Sequence, residues 1–336
     1  GAKELLGPFH RFLCGDMMAW LSERGVETKI EEDGRVFPIS DSSQTIIDCF
    51  MAQVNSHRIE VRMQEGVKGL HLADGHWSIQ TTNHDLESRC VMLATGSTPS
   101  VWAMLQELGY DIVPPVPSLF TFNIKDQMLE DLQGLSMPEA EVRIPETGYS
   151  ASGPILITHW GLSGPAVLKC SAWAAKELNH LEYHFLVEVN WIGRDSDTVR
   201  EVIETMRKEH GKRMAKKYPL FDVPRRLWER FCWQAKLRDD NFGSLTSLQM
   251  DSLVRVLTCS TLNVNGKSTF KEEFVTCGGV ELKQIDFKNM ESRLHKGLFM
   301  AGEVLNIDAI TGGFNFQAAW TEAYVAAEAM AERLSS

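Results

Sequence analysis

The most restrictive feature lies near the carboxyl end, where residues 297–317 read GLFMAGEVLNIDAITGGFNFQ. A wholly apolar run ending in glycine and a carboxylate, then a loop, a glycine pair and an alanine-rich stretch, predicts a buried strand over 298–301 and a helix over 314–334. Gly302, without a side chain, lets a ligand approach the backbone at the strand tip. Glu303 follows as a carboxylate able to hold hydroxyl groups. Gly312 and Gly313 open the helix, where unpaired N–H groups and the positive end of the helix dipole meet. Such a start suits a phosphate or an electron-rich ring carbonyl. Gly302, Glu303, Asp308, Gly312, Gly313, Phe314, Asn315 and Gln317 are therefore candidate binding residues. The competing reading is an ordinary glycine-rich turn between strand and helix.

A second apolar run at 90–94 ends in Thr95-Gly96 and predicts another strand buried on both faces, its tip at the carboxyl edge of a sheet where α/β folds bind ligands. Thr95 and Gly96 join the candidates for the same pocket. Between the ends of the chain the style changes. Helices are expected over 8–24, after Ser42 or Ser43, and over 101–108. Short strands are expected at 59–63, 68–72, 77–81 and 89–94, with Asp74-Gly75 as a hairpin turn. From Pro114 a proline-rich crossing leads into strands at 119–123, 142–144, 155–158 and 183–191. A charged helical stretch covers 195–258, and extended chain returns at 260–265 and 273–275.

Composition narrows the function. A formal net charge of -11 argues against nucleic acid or an anionic membrane as the main partner. The basic cluster Arg207, Lys208, Lys212, Arg213, Lys216 and Lys217 is read as a solvated helix face. The seven cysteines include no C-x-x-C pair, which points to neither a disulfide framework nor a zinc site and fits a reducing cytoplasm; no metal is expected. No apolar run approaches the roughly 18 residues of a membrane span. In THWGLSGP at 158–165, His159 or Ser163 faces a ligand, or the segment is a structural turn leading to a helix at Pro165. In VTCGGV at 275–280, Cys277 is a candidate redox thiol or a small packed apolar group. His159 and Cys277 are the weak catalytic candidates. Trp228, Phe231 and Trp233 are read as core.

GRVFP at 34–38, THWGLSGP, VTCGGV, MES at 290–292 and GE at 302–303 running on to TGGFNFQ at 311–317 stand in one order. In that order they resemble a bacterial family of FAD/NAD(P)-dependent oxidoreductases, and the likeness spans essentially the whole chain. It implies an α/β fold: a Rossmann-like FAD-binding domain interrupted by a β-rich insert carrying a helical subdomain. The implied divisions are 1–116 and 276–336 for the FAD domain, 117–194 and 259–275 for the insert, and 195–258 for the helical part. FAD is the implied cofactor, NAD(P)H a transient reductant, and a small molecule the substrate. Backbone contact of Gly278 and Gly279 with the flavin follows from the resemblance alone. The alternatives are a non-catalytic binding remnant and a flavin-dependent RNA-modifying enzyme.

Two departures stand out. Relatives open with a strand and a G-x-G-x-x-G/A turn for the FAD pyrophosphate, and no G-x-G-x-x-G occurs in this sequence. The FAD domain is therefore expected to be incomplete at its N-terminus, as in a fragment, with apolar surface uncovered and self-association as the result. Relatives also carry a longer loop after the A-T-G strand, where this chain goes directly to Ser97-Thr98-Pro99-Ser100.

Overall fold

The computed structural model describes residues 1–32, 34–268, 275–310 and 312–335. It divides into two compact units, Gly1–Pro115 with Thr276–Ser336, and Val116–Val275. The chain is mixed α/β, in agreement with the expected class.

The first unit opens with α1 (Leu6–Phe9) and α2 (Cys14–Ser22) where one helix was expected. Leu13 separates them by taking extended backbone, and its N–H donates to Asp16 Oδ2 at 2.7 Å, which caps the second helix. Strands β1 (Thr28–Ile30) and β2 (Val36–Pro38) pair antiparallel; Asp33 of the expected turn between them lies outside the described residues. In α3 (Ser43–Ser56) the Ser42 hydroxyl accepts from Gln44 N–H. The strand expected at 59–63 does not form: Ile59, Val61 and Met63 are all exposed, so no buried face rewards extended pairing. Strands β3 (Val67–Ala73), β4 (His76–Thr81) and β5 (Asp85–Ser88) make an antiparallel sheet. Asp74 (φ 51°) and Gly75 (φ 78°) supply its first turn, the left-handed pair a two-residue hairpin requires. After β6 (Val91–Leu93) and α4 (Pro99–Glu107), the proline-rich segment is a strand, β7 (Ile112–Ser118), rather than a linker. Prolines lack a donor N–H, and a two-stranded ribbon leaves room for such gaps.

The second unit is built on seven strands: β8 (Thr121–Asn123), β9 (Ser136–Ile144), β10 (Tyr149–Ile157), β11 (Gly161–Ser163), β12 (His184–Asn190), β13 (Ser260–Asn265) and β14 (Lys267–Ser268). They lie in the order β13-β12-β9-β10-β11-β8-β14. Their inner residues form one core with α5 (Pro165–Trp173), α6 (Ala175–His180), α7 (Ser196–Glu209), α8 (Arg225–Gln234) and α9 (Ser247–Thr258). Trp228 and Phe231 are fully buried, and the Trp228 indole donates to Ala215 O at 2.9 Å. Trp233 departs from the expectation of a core residue, because its place on α8 leaves it 54% exposed. The basic cluster is not one helix face either. Arg207 and Lys208 end α7, Lys212 and Arg213 lie in a turn, and Lys216 and Lys217 belong to a separate short 3-10 turn.

Back in the first unit, β15 (Val275–Val280) pairs with β7, while Glu273 and Phe274 of the expected strand lie outside the described residues. Strands β16 (Ile285–Asp286), β17 (Glu291–Ser292) and β18 (Leu298–Met300) join β6 in the order β16-β17-β18-β6. All three β18 residues are buried, as the apolar run requires. In β6, Met92 is exposed, against the expectation of burial on both faces, because β6 is the last strand in that order. Helix α10 (Gly312–Ser335) runs about 36 Å at the standard rise and is held at its far end by Arg333, which reaches the buried Glu291 carboxylate at 2.9 Å. Among the described residues no helix is long and apolar enough to cross a membrane.

Candidate functional site

Strands β6 and β18 run parallel, with Leu93 beside Met300, and Ala301 N–H donates to Leu93 O at 3.0 Å. This pairing brings two segments far apart in sequence to one carboxyl edge: Ala94-Thr95-Gly96 and Ala301-Gly302-Glu303. Both glycines have left-handed backbone, φ 61° at Gly96 and φ 79° at Gly302. Among the described residues nothing lies within 4 Å of where a Gly96 side chain would begin, which leaves space over that turn. At Gly302 the nearest atom is Ala319 Cβ at an ordinary 3.5 Å, so backbone conformation, rather than crowding, requires glycine.

The loop after Gly302 is clamped on two sides. Trp102 of α4 donates its indole N–H to Val304 O at 3.0 Å, and Val280 N–H donates to the same oxygen at 3.0 Å. Asn306 N–H returns the contact to Val280 O at 3.1 Å. Gly278 and Gly279 serve this clamp. A Cβ on Gly278 would meet Pro114 O and Pro115 Cα at 2.7 Å, and one on Gly279 would meet Val304 O at 2.7 Å. These glycines make room for the protein's own backbone. Cys277 beside them is buried in β15.

The loop carries two carboxylates, Glu303 and Asp308. Burial raises Glu303 above the ordinary glutamate range, and the Asp308 charge adds to the rise. Two acidic groups repel phosphate and accept from hydroxyl groups, so this end of the site suits a polyol or ribose. The chain then enters α10. Asn315, in the first turn, donates to Ala309 O at 3.3 Å, while its buried Oδ1 has no partner among the described residues. Phe314 stands edge-on to Phe9 at 5.6 Å, and Gln317 donates to Thr321 Oγ1 at 3.1 Å. Thr311 lies outside the described residues. Ala319 packs beside Gly302, so the helix start at Gly312 lies about 10 Å further along the axis. Hydroxyl acceptors at the strand tip and the positive end of the α10 dipole therefore stand in sequence along the chain, about 10 Å apart.

One residue of this site went unnoticed in the sequence. Glu322 is completely buried under Gly302, whose N–H donates to Glu322 Oε2 at 2.6 Å. Among the described residues its Oε1 has no partner. Burial pushes its carboxyl up to about 8, against the smaller opposing effect of the Gly302 hydrogen bond. The signal was present, since Ala318, Thr321, Glu322, Val325 and Ala326 fall on one helical stripe and all are buried.

His159 belongs to the second unit. It is exposed, and among the described residues it makes no hydrogen bond; Thr158 holds the turn instead, its Oγ1 accepting from Trp160 N–H and Gly161 N–H at 3.2 Å. Ser163 accepts from Thr121 Oγ1 at 3.0 Å. Among the described residues no three His, Cys, Asp or Glu side chains are grouped to hold a metal ion.

Two strand tips with left-handed glycines, an acidic loop and a glycine-led helix start agree with the family match, which covers residues 1–329. The chain belongs to the HI0933-like protein Rossmann domain family. Relatives of this HI0933-like chain include ribosomal RNA dihydrouridine synthases of Haemophilus influenzae, 26% identical over 94% of this chain and 80% of that protein, and of Escherichia coli, 26% identical over 97% and 81%. It is also similar to a 3-dehydro-bile acid delta(4,6)-reductase of Clostridium scindens, 24% identical over 96% of this chain and 81% of that protein.

Proposed function

We propose that this chain is a flavin-dependent oxidoreductase, and that its reaction is the reduction of a carbon–carbon double bond conjugated to a carbonyl group. The observation that carries the first part is the site at the β6–β18 edge, where the left-handed Gly96 and Gly302, the carboxylate of Glu303 and the glycine-led start of α10 follow one another along one elongated path. FAD, when bound, supplies the hydride chemistry, and NAD(P)H serves as a transient reductant. Glu303, with Asp308 behind it, holds ribityl or ribose hydroxyls. The helix start at Gly312–Asn315 faces the ring's pyrimidine edge, where its N–H groups and dipole favour added negative charge. Glu322 fixes the height of Gly302 under the ligand through its 2.6 Å hydrogen bond.

Support for the second part comes from what the relatives' names have in common. Dihydrouridine is uridine with its ring double bond saturated, and a delta(4,6)-reductase saturates double bonds conjugated to a ketone. Both are net additions of a hydride and a proton to an activated alkene, so one active centre serves either class with a different entrance. The net charge of -11 favours a small molecule over RNA as substrate.

The test is an anaerobic titration of the purified chain with FAD, followed by NADPH and then an α,β-unsaturated ketone. A bound-flavin spectrum, bleaching by NADPH and recovery on adding the enone are expected, with Glu303→Gln weakening FAD at least several-fold. A chain that binds no flavin at saturating FAD refutes the oxidoreductase reading. Bleaching without recovery by any enone refutes only the alkene assignment. Recovery with a uridine-containing ribosomal RNA fragment, and not with the enone, transfers the assignment to RNA modification.

A further inference from the structure

A cavity of about 610 Å³ opens in the first unit between the α1 region and the segment 282–293, within the roughly 300–1,000 Å³ typical of small-molecule sites. Its Arg11 end lies away from the start of α10. Arg11 at its rim pairs with Glu328 of α10 at 2.6 Å, and Glu328 sits sixteen residues, about 24 Å, from the helix start at Gly312.

The cavity's charges are sorted in a telling way. Arg11 is committed to Glu328 and also donates to Lys288 O at 2.6 Å. Arg293 is committed to Asp286 at 3.4 Å and donates to Ile285 O at 3.1 Å. Lys283 and Lys288 make no ion pair among the described residues, and both are exposed on the lining. Two free ammonium groups beside two fixed guanidiniums form an anion site with built walls. The floor is apolar, with Leu282 and Ile285 buried and Phe287 half-buried against the core. Glu4 adds a second carboxylate to the lining, besides the Asp286 that pairs with Arg293. A ligand with a phosphate for the lysines, a flat ring for the floor and hydroxyl or amino donors for Glu4 satisfies all three.

We infer that this cavity binds a free nucleoside phosphate. A nucleic acid meets the same local groups, but its charge extends far beyond them. The lysines act over about a Debye length, roughly 8 Å at physiological salt, while the remainder of a chain with net charge -11 repels a polyanion. A mononucleotide keeps its charge inside the favourable region.

The experiment is calorimetry of the full chain with ADP at physiological salt in the presence of saturating FAD, repeated with inorganic phosphate as competitor and with Lys283→Ala/Lys288→Ala. One ADP per chain is expected. The double variant should bind at least ten-fold more weakly with its folding and flavin content unchanged, and phosphate should compete. No ADP binding at millimolar concentration overturns the proposal. So does ADP binding unaffected by the double substitution, which places it elsewhere. Tight binding of a short RNA oligonucleotide without binding of ADP overturns it in favour of nucleic acid. The double substitution tells ADP bound in this cavity from ADP bound at the strand-tip site, so failure here and failure of the flavin assignment are distinguishable.

Discussion

Glu322 offers the sharpest test of the packing beneath Gly302. The side chain is fully buried, and burial pushes its carboxyl from an ordinary 4.5 up to about 8. A raised pKa means that the folded chain holds this proton while the unfolded chain has released it. The stabilising contribution is therefore complete below about pH 4.5, declines through the interval up to about pH 8, and changes no further above it. Within the interval the slope is about −1.4 kcal/mol per pH unit, and the full span is on the order of 5 kcal/mol. Glu322→Gln keeps an acceptor for Gly302 N–H and removes the titration. The variant should match the wild type near pH 4.5 and exceed it by about 3 kcal/mol at neutral pH and about 5 kcal/mol above pH 8. Urea unfolding followed by tryptophan fluorescence at a series of pH values gives both curves. Their difference isolates this residue, since other titrating groups, including Glu303, are common to both proteins. An infrared carboxylic-acid band present at pH 6 and absent from the variant identifies the proton directly. Parallel stability curves across the whole interval would refute the reasoning, because they mean that the folded carboxyl titrates like an exposed one.

Three further outcomes are expected. Gly278→Ala should abolish folding of the first unit or lower its stability by several kcal/mol, since the new Cβ meets Pro114 O at 2.7 Å in a φ 125° backbone; Gly302→Ala, strained but uncrowded, should lose about 1–2 kcal/mol by thermal melting. Tyr110→Phe removes a buried hydroxyl that hydrogen-bonds to Ser292 and, at 3.2 Å, to His295 Nδ1, so chemical denaturation should show a loss of about 1–3 kcal/mol. Of the seven cysteines only Cys14 and Cys259 are exposed, and a colorimetric thiol reagent should titrate two thiols rapidly in the native protein and all seven in denaturant.

What the sequence disclosed, and what it withheld, divides along physical lines. Local signals read well. The Asp74-Gly75 hairpin, the buried β18 run, the helix starting at Pro165 and the long α10 each depend on neighbouring residues whose conformational preferences agree. The strand expected at 59–63 failed because alternation within a segment cannot reveal whether another strand lies alongside it. Trp233 failed similarly, since aromatic character alone does not say which side of α8 meets the core. Glu322 was overlooked although its helical spacing places it on the buried stripe. A carboxylate in an alanine-rich helix suggests a solvated face until its phase is compared with Ala318, Val325 and Ala326.

The two glycine pairs make the limit plain. Gly278-Gly279 and Gly312-Gly313 are the same dipeptide, and both suggested backbone exposed to a cofactor. At the first pair the missing side chains are required by the protein itself, because Pro114, Pro115 and Val304 occupy the space at 2.7 Å. Among the described residues nothing lies within 4 Å of a Gly313 Cβ, so the protein's packing makes no such demand there. Absence of a side chain is one observation with two causes, close packing and ligand access, and sequence reports only the absence. The distances separate the causes, and they leave the approach to the proposed flavin at α10 and the β6–β18 edge, with the β15 glycines holding the loop that connects them.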